Sequence, residues 1–499
     1  MRNPIMHTAV PLTVHTRPLA RRVALGAISL ATLSLISACG ALGTGPAYER
    51  PALQVPNTID APRASTGAMV DLQQWWKGFQ DPVLDALLQE AAANSQDLIL
   101  ATARVDEARA SLDQNKANLY PTVDLNAAAT RKRISEKTAT YSSAMTPVSD
   151  DRLVGLSASY EIDFWGKYAK ADEAARARLL AQSATRGTVL TTLYANVAQS
   201  YFALRAFDEQ TRLAETTLAT RQENVRLQKR RLEAGVIGQL DFSQAESEAA
   251  AMLAALQTAR QNRSNAESAL AALLGRKPGD ILRPTLARGE TLGSLYARQA
   301  VPANLPADLI SRRPDIVAAE QNLIAANADI GQARSAYFPK ISITAAVGQQ
   351  SADMANLFDP ASLFWNVVGN LTQPVFRAGA IGALVAASNA RQQQALAQYT
   401  QSVQSAFKDV HDALNNVDSG KDIATTTAQR IASLRETLRL SEKRYNAGYS
   451  SYLEVLSAQR DLSQAESSLV DVQRSQLASL VSLYKAVGGG WQAGNVAVN

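Results

Sequence analysis

The chain has 499 residues, of which 46% are apolar, 6% aromatic and 19% charged, with a formal net charge of +5. That length exceeds one ordinary compact domain, and with Ala supplying many of the apolar residues it suits long, closely packed helices better than a bulky core. The first 38 residues carry Arg2, Arg17, Arg21 and Arg22 and no acid, so the remainder carries only +1, and no clustered basic face points to nucleic acid.

The N-terminus reads as a bacterial export signal. Arg17, Arg21 and Arg22 precede an apolar run from Val23 to Ile36, followed by Ile36-Ser37-Ala38-Cys39. The run is too short to span a bilayer, which takes about 20 apolar residues. Small residues before Cys39 fit a lipobox whose thiol is acylated and becomes the mature N-terminus. The plainer alternative is a secretory signal cleaved near Ala38. The long positive region leaves Met1 or Met6 as the start. Residues 1–38 are therefore assigned to the signal and 39–80 to an extended, lipid-anchored tail. Pro46, Pro51, Pro56 and Pro62 disfavour helix in that tail, which carries Trp75 and Trp76.

Cys39 is the only cysteine, so an internal disulfide and a cysteine-based zinc site are excluded. Of His7, His15 and His411 only the last survives signal removal. It lies in an amphipathic helical stretch and reads as a solvated helix residue. A Walker loop and a GxGxxG fingerprint are both missing from the sequence. The expectation is a protein that is not an enzyme, with no metal and no cofactor beyond a covalent lipid on Cys39.

An internal duplication organises the rest. Arg231-Leu232-Glu233-Ala234-Gly235 returns as Arg444-Tyr445-Asn446-Ala447-Gly448, 213 positions later, and Leu119-Tyr120-Pro121 returns as Tyr337-Phe338-Pro339, 218 later. Each copy is domain-sized. In the first, 81–275, a helix is expected from Asp81 to Leu119, opened by Pro82 and closed by Pro121. Val123, Leu125, Ala127 and Ala129 then alternate as in a strand. A loop follows through Ser135, Pro147 and Ser149, then a second strand through Leu156, Ala158 and Tyr160, ending at Gly166. A proline-free helix from about Ala169 to Ala234 is next, with a turn at Gly235–Gln239 and a return helix from Leu240 to Leu274. Residues 276–305, with Pro278, Pro284, Gly293 and Pro302, form an equatorial linker.

The second copy, 306–488, repeats the order. A helix runs from Pro314 to Tyr337, a strand holds Ile341, Ile343 and Ala345, and a loop holds Gly348, Asp353, Asp359 and Pro360. A second strand lies in Phe364–Val375. The next long helix carries Val403, Phe407, Val410, Leu414 and Val417 at heptad spacing, turns at Gly448 and returns to Gly488. Residues 489–499 form a tail. Four strands cannot cross a membrane with open edges, so closure demands further copies, and three give twelve strands.

Tyr160-Glu161-Ile162-Asp163-Phe164-Trp165-Gly166, Ser311-Arg312-Arg313-Pro314-Asp315-Ile316, Ala336-Tyr337-Phe338-Pro339 and Gly448-Tyr449-Ser450-Ser451-Tyr452-Leu453-Glu454-Val455-Leu456 occur in order on this frame. Together they resemble the outer membrane efflux proteins, the TolC-like outer membrane factors. The similarity is to the lipoprotein branch that partners resistance-nodulation-division pumps. The resemblance implies a mixed, mainly α fold: a homotrimer with a 12-stranded β-barrel in the outer membrane and a periplasmic α-barrel. It implies a periplasmic adaptor (membrane fusion) protein and an inner-membrane resistance-nodulation-division transporter as partners, besides outer-membrane lipid. The hairpin tips at Gly235–Asp241 and Gly448–Glu454 face that adaptor. Tyr449, Leu453, Glu454, Ser457 and Arg460 match the family's gate positions. Ser457 stands where the family often has Asp, so it cannot supply a salt bridge. Arg460 can pair with an acid on a neighbouring helix. Trp165 is either a membrane-boundary anchor or a strand-to-helix packing residue, and Arg312 and Arg313 read as a charged helix entrance.

The function implied is a passive outer-membrane exit duct exporting small molecules such as drugs. Two alternatives are a duct for type I protein secretion and a lipid-anchored periplasmic coiled-coil scaffold without a pore. The alternating strands speak against the scaffold.

Overall fold

The computed structural model describes residues 45–53, 58–59, 71–139, 141–299, 301, 305–306 and 312–491. The signal segment, Cys39 and much of the tail lie outside the described residues. In chain order the elements are β1 (Thr58–Ile59), a 3-10 helix (Leu72–Phe79), α1 (Pro82–Asn94), α2 (Gln96–Ala117), β2 (Thr122–Arg133), β3 (Val148–Glu161), α3 (Lys167–Glu233) and α4 (Gln239–Leu273). Then come α5 (Pro278–Leu282), α6 (Leu292–Ala297), β4 (Leu305–Pro306), α7 (Pro314–Ser335), β5 (Lys340–Ser351), β6 (Leu363–Thr372), α8 (Ala380–Asn446) and α9 (Tyr452–Ala486).

Four pairs of equivalent elements match in length, while β3 has 14 residues and its counterpart β6 has 10. α2 and α7 have 22 residues each, β2 and β5 have 12, α3 and α8 have 67, and α4 and α9 have 35. At 1.5 Å per residue, 67 residues make about 100 Å of helix. Both long helices end the same way. Gly235 and Gly448 take φ of 70° and 80°, and the next N–H, of Val236 or Tyr449, bonds back to the carbonyl of Arg231 or Arg444 at 2.9 Å. A side chain would strain that left-handed residue, so glycine caps the last carbonyls and turns the chain.

Compact packing divides the chain into two units that cut across the repeats. The sheet unit takes residues 45–47, Asn118–Ala171 and Asn327–Ser388; the helical unit takes Tyr48–Ala117, Asp172–Ala326 and the chain from Asn389. In the sheet unit β2, β3, β5 and β6 form one antiparallel sheet in that order. In the helical unit a core runs through α1, α3, α4, α8 and α9, with Trp75, Tyr201, Phe202, Leu270, Leu480 and Tyr484 fully covered.

Four expectations need correction. The expected helix from Asp81 to Leu119 is two helices, because Ser95 adopts extended backbone between them. Gly348, expected in a loop, lies in β5 opposite Gly155. A Cβ on Gly155 would sit 2.8 Å from the Val347 carbonyl oxygen, so the glycine pair lets the two strands approach. The tail is not extended throughout. Asp71 caps the 3-10 helix by accepting from the Gln73 N–H, and Trp75 enters the core to stack on Tyr484 at 5.3 Å. The last strand ends at Thr372 rather than Val375, two residues before Pro374, which lacks the ladder donor.

Asp81, expected only as a helix entrance, is 1% exposed and accepts four hydrogen bonds. The donors are the N–H groups of Val83 (2.9 Å), Leu84 (3.4 Å) and Glu290 (3.1 Å) and the Tyr201 hydroxyl (2.6 Å). It thereby ties the segment before α6 to α1 and α3. Arg313 is likewise buried and structural, donating to Asp315, to Asp409 at 3.0 Å and to the Ala486 carbonyl at 3.1 Å.

Candidate functional site: a two-faced sheet and a polar hairpin tip

The register of the sheet sorts its side chains onto two faces. Leu125 lies opposite Leu156, which lies opposite Val347, which lies opposite Trp365. Val123, Ala158, Ala345 and Val367 form the adjacent row, and Tyr160 and Ile343 continue the same face. The other face carries Asn126, Ser157, Ser159, Thr344, Asn370 and Thr372, with Leu153, Phe364 and Val368 as apolar exceptions. Asn126 donates to the Ser157 hydroxyl at 2.8 Å and Gln350 to Asp151 at 2.9 Å, so the polar face is laced within itself.

The apolar face is uncovered: Leu125 is 72% exposed and Trp365 73%. In water such a face is costly, and in hydrocarbon it is the stable one. Strands of 10 to 14 residues suffice, since a tilted membrane strand needs about 9–11. No helix among the described residues is long and apolar enough to cross a membrane. Within the described chain β2 and β6 are the free edges of this sheet.

Below the sheet's second strand, Trp165 donates its indole N–H to the Pro339 carbonyl at 2.8 Å and stacks on Phe338 at 4.6 Å. Asp163 accepts from the Ala169 N–H at 2.8 Å, capping the start of α3. The junction is therefore packed as an anchor between strand and helix.

The helical unit carries the other expected residues. Gly235 is exposed at the first tip and Asp241 is half-buried in the first turn of α4. At the second tip Gly448, Glu454 and Ser457 are exposed, as are Tyr449 (80%) and Leu453 (55%). The 3.6-residue period explains the split: Tyr452, Val455 and Leu456 turn inward to pack with Ala245, which leaves Leu453, Glu454 and Ser457 outward. Arg460 reaches from α9 to the Glu248 carboxylate on α4, its Nε donating at 2.8 Å. That bond holds the Arg460 guanidinium above its usual pKa.

Sequence reasoning missed the residues behind this pair. Arg221 of α3 is 5% exposed, donates to the Gln459 carboxamide oxygen and leaves its Nε without a hydrogen-bond partner. Burial pushes its pKa down, against the nearby charge of Glu248. Asn224 donates to the Tyr452 hydroxyl, and Arg231 lies over the Tyr445 ring at 5.4 Å. Glu248 was recoverable from the duplication, because Asp461 stands at the same place in the second copy, 213 positions on. Arg221 carried no such signal. No cluster of metal-ligating side chains occurs among the described residues.

The sequence model of the outer membrane efflux proteins matches residues 87–276 and 305–489. The pyoverdine export outer membrane protein OpmQ of Pseudomonas aeruginosa is 36% identical over 472 residues, covering 93% of this chain and 98% of that protein. The probable outer membrane lipoprotein SilC of Salmonella typhimurium is 32% identical over 470 residues, covering 93% and 98%. Among solved structures, that of CusC, a cation efflux system protein in Escherichia coli, superposes with a TM-score of 0.79 at 32% identity, covering 89% of this chain and 99% of that one. A duplicated chain with a membrane-fitted sheet and long helical hairpins, matched over nearly its whole length, belongs to the outer membrane efflux protein family, whose members are transport ducts of the outer membrane rather than enzymes.

Proposed function

We propose that three copies of this chain close their sheets into a twelve-stranded barrel in the outer membrane and their helices into a periplasmic barrel, forming the passive exit duct of a tripartite efflux pump. The observation that carries this reading is the sheet with one lipid-compatible face, one polar face and two unpaired edges. A membrane admits no open edge, and a ring of copies removes all of them. The polar face then lines water, through which small molecules such as drugs leave. With no nucleotide-binding motif in the sequence, energy comes from an inner-membrane resistance-nodulation-division transporter, joined through a periplasmic adaptor protein at the hairpin tips. A lipid on Cys39 anchors the N-terminus to the same membrane, in keeping with SilC being a probable outer membrane lipoprotein.

At the tips, a ring of symmetry-related Leu453 side chains narrows the pore by apolar contact, with Tyr449, Glu454 and Ser457 around it. Gly235, Asp241 and Gly448 shape the surface that the adaptor meets, and Arg460 steadies the tip through Glu248. Single-channel conductance in planar bilayers tests the duct and the gate together. Leu453→Ala should open more often or conduct more than the wild type. Absence of channels from well-folded trimers of both proteins would overturn the reading.

A further inference from the structure

This inference rests on the barrel proposed above and takes it to the residues of the joint between copies. Within one chain a joint between repeats is already visible: β3 of the first copy pairs with β5 of the second, from Glu161 opposite Ser342 to Arg152 opposite Ser351. The two free edges are the counterparts of these strands, since β2 opens the first repeat as β5 opens the second, and β6 follows β5 as β3 follows β2.

The correspondence can be fixed residue by residue. Thr122 and Lys340 begin equal 12-residue strands 218 positions apart. Thr122 pairs with Ser159 and Lys340 with Thr372, which makes Ser159 and Thr372 equivalent, 213 positions apart. An independent feature gives the same number. Gly166 and Gly379, at φ of 73° and 83°, stand 213 positions apart at the entrances to the two 67-residue helices.

We propose that β6 of one copy pairs antiparallel with β2 of the next in the register that places Thr372 opposite Asn126, Leu371 opposite Ala127 and Asn370 opposite Ala128. The visible joint supplies the template, because Ser159 lies opposite Thr344 and Ser157 opposite Ala346. In this register the two faces run on without a break around the ring: Leu371 and Ala127 are both on the apolar face, Asn370 and Ala128 both on the polar one. A slip of one residue would send Leu371 and Trp365 to the water side. Val375, 94% exposed in the single chain, comes opposite Val123, 64% exposed, so each covers the other. Trp365 comes opposite Arg133, an indole beside a guanidinium.

The hydrogen-bond phase chooses the test. The Ile162 N–H donates to the Ile341 carbonyl at 2.9 Å, which makes the apolar-face pairs the bonded ones and the polar-face pairs the unbonded ones. Unbonded antiparallel pairs bring Cα atoms to about 4.5 Å, inside the range that a disulfide spans. The experiment uses the full chain in isolated outer membranes, oxidised with copper phenanthroline and run on non-reducing gels. The Asn370→Cys/Ala128→Cys variant should give covalent dimers and trimers at least tenfold more readily than Asn370→Cys combined with Asn126→Cys or with Thr130→Cys. Single-cysteine variants set the background from Cys39. Ser157→Cys/Ala346→Cys, within one chain, confirms that the sheet is folded and the oxidant effective.

Preferred cross-linking through position 126 or 130 would overturn the register while leaving the ring of copies standing. No intermolecular product from any of the three pairs, with the internal pair closing normally, would overturn the joint itself, and conductance would then decide the duct separately.

Discussion

Around Tyr201 and Tyr484, α3, α4, α8 and α9 share a continuous apolar core, with Trp75 stacked on Tyr484 and Phe79 edge-on to Phe202 at 5.0 Å. Near the turns the apolar cluster is small: Ala245, Tyr452, Val455 and Leu456 are buried, with Val225, Leu438 and Tyr445 packed against them. There the contacts are polar and long-sided: Arg460 to Glu248, Arg221 to Gln459, Asn224 to Tyr452. Aromatic stacking and full burial hold the body rigidly. The Arg460 side of its ion pair with Glu248 is open to water, where such a pair is worth little, and the apolar cluster beside it is small, so the tip can change its arrangement at lower cost than the body.

The largest expected effect is in the body. Asp81→Ala strips an acceptor from four donors at a buried site, which should cost on the order of 3 kcal/mol. Chemical unfolding in detergent, followed by tryptophan fluorescence, reads this as a lower midpoint. A loss no greater than that of a surface substitution would break the comparison on the side of the body.

Alkaline pH offers a middle-sized test. Burial raises the pKa of the Tyr484 phenol above its ordinary value near 10. A folded-state pKa above the unfolded one means that the stabilisation is complete below about pH 10 and is lost as pH rises further. The slope is about 1.4 kcal/mol per pH unit. Tyr484→Phe keeps the ring on Trp75 and removes the ionisation. Its thermal stability should fall less steeply than the wild type's between pH 10 and 11, and equal slopes would count against the phenol as the cause.

The smallest global effect is expected at the tip. Arg460→Ala should change overall stability by less than about 1 kcal/mol. Amide exchange should nevertheless quicken around Gly448–Leu456 and stay unchanged around Tyr484. Faster exchange spreading into the body would mean that tip and body open as one.

Much of this frame was legible in the chain. Gly235 and Gly448 marked both turns, and the 213-residue offset tied the long helices together. The Val123–Ala129 alternation named the apolar face that the register then extended to Val347 and Trp365. What escaped was whatever depended on distant partners. Ser95 breaks a helix without a proline or glycine to announce it. Gly348 looked like a loop residue because its reason, Gly155, lies in another strand. Trp75 was hidden by the prolines before it, and Arg221 by the helix it sits in, since an Arg on a long helix usually faces water. Asp81 marked only the start of a helix; its links to Tyr201 and Glu290 come from the tertiary fold.

The equal spans of α3 and α8, and of α4 and α9, act as a constraint on how such a gene can vary. One inserted residue in α3 would lengthen that leg by about 1.5 Å and swing everything beyond it by about 100°. Its twin would stay put, leaving a stool with mismatched feet against whatever surface the turns must meet. Length changes should accumulate in the strand-connecting loops at 134–147 and 352–362, where neither leg is altered, while a helix tolerates them only when both copies change together.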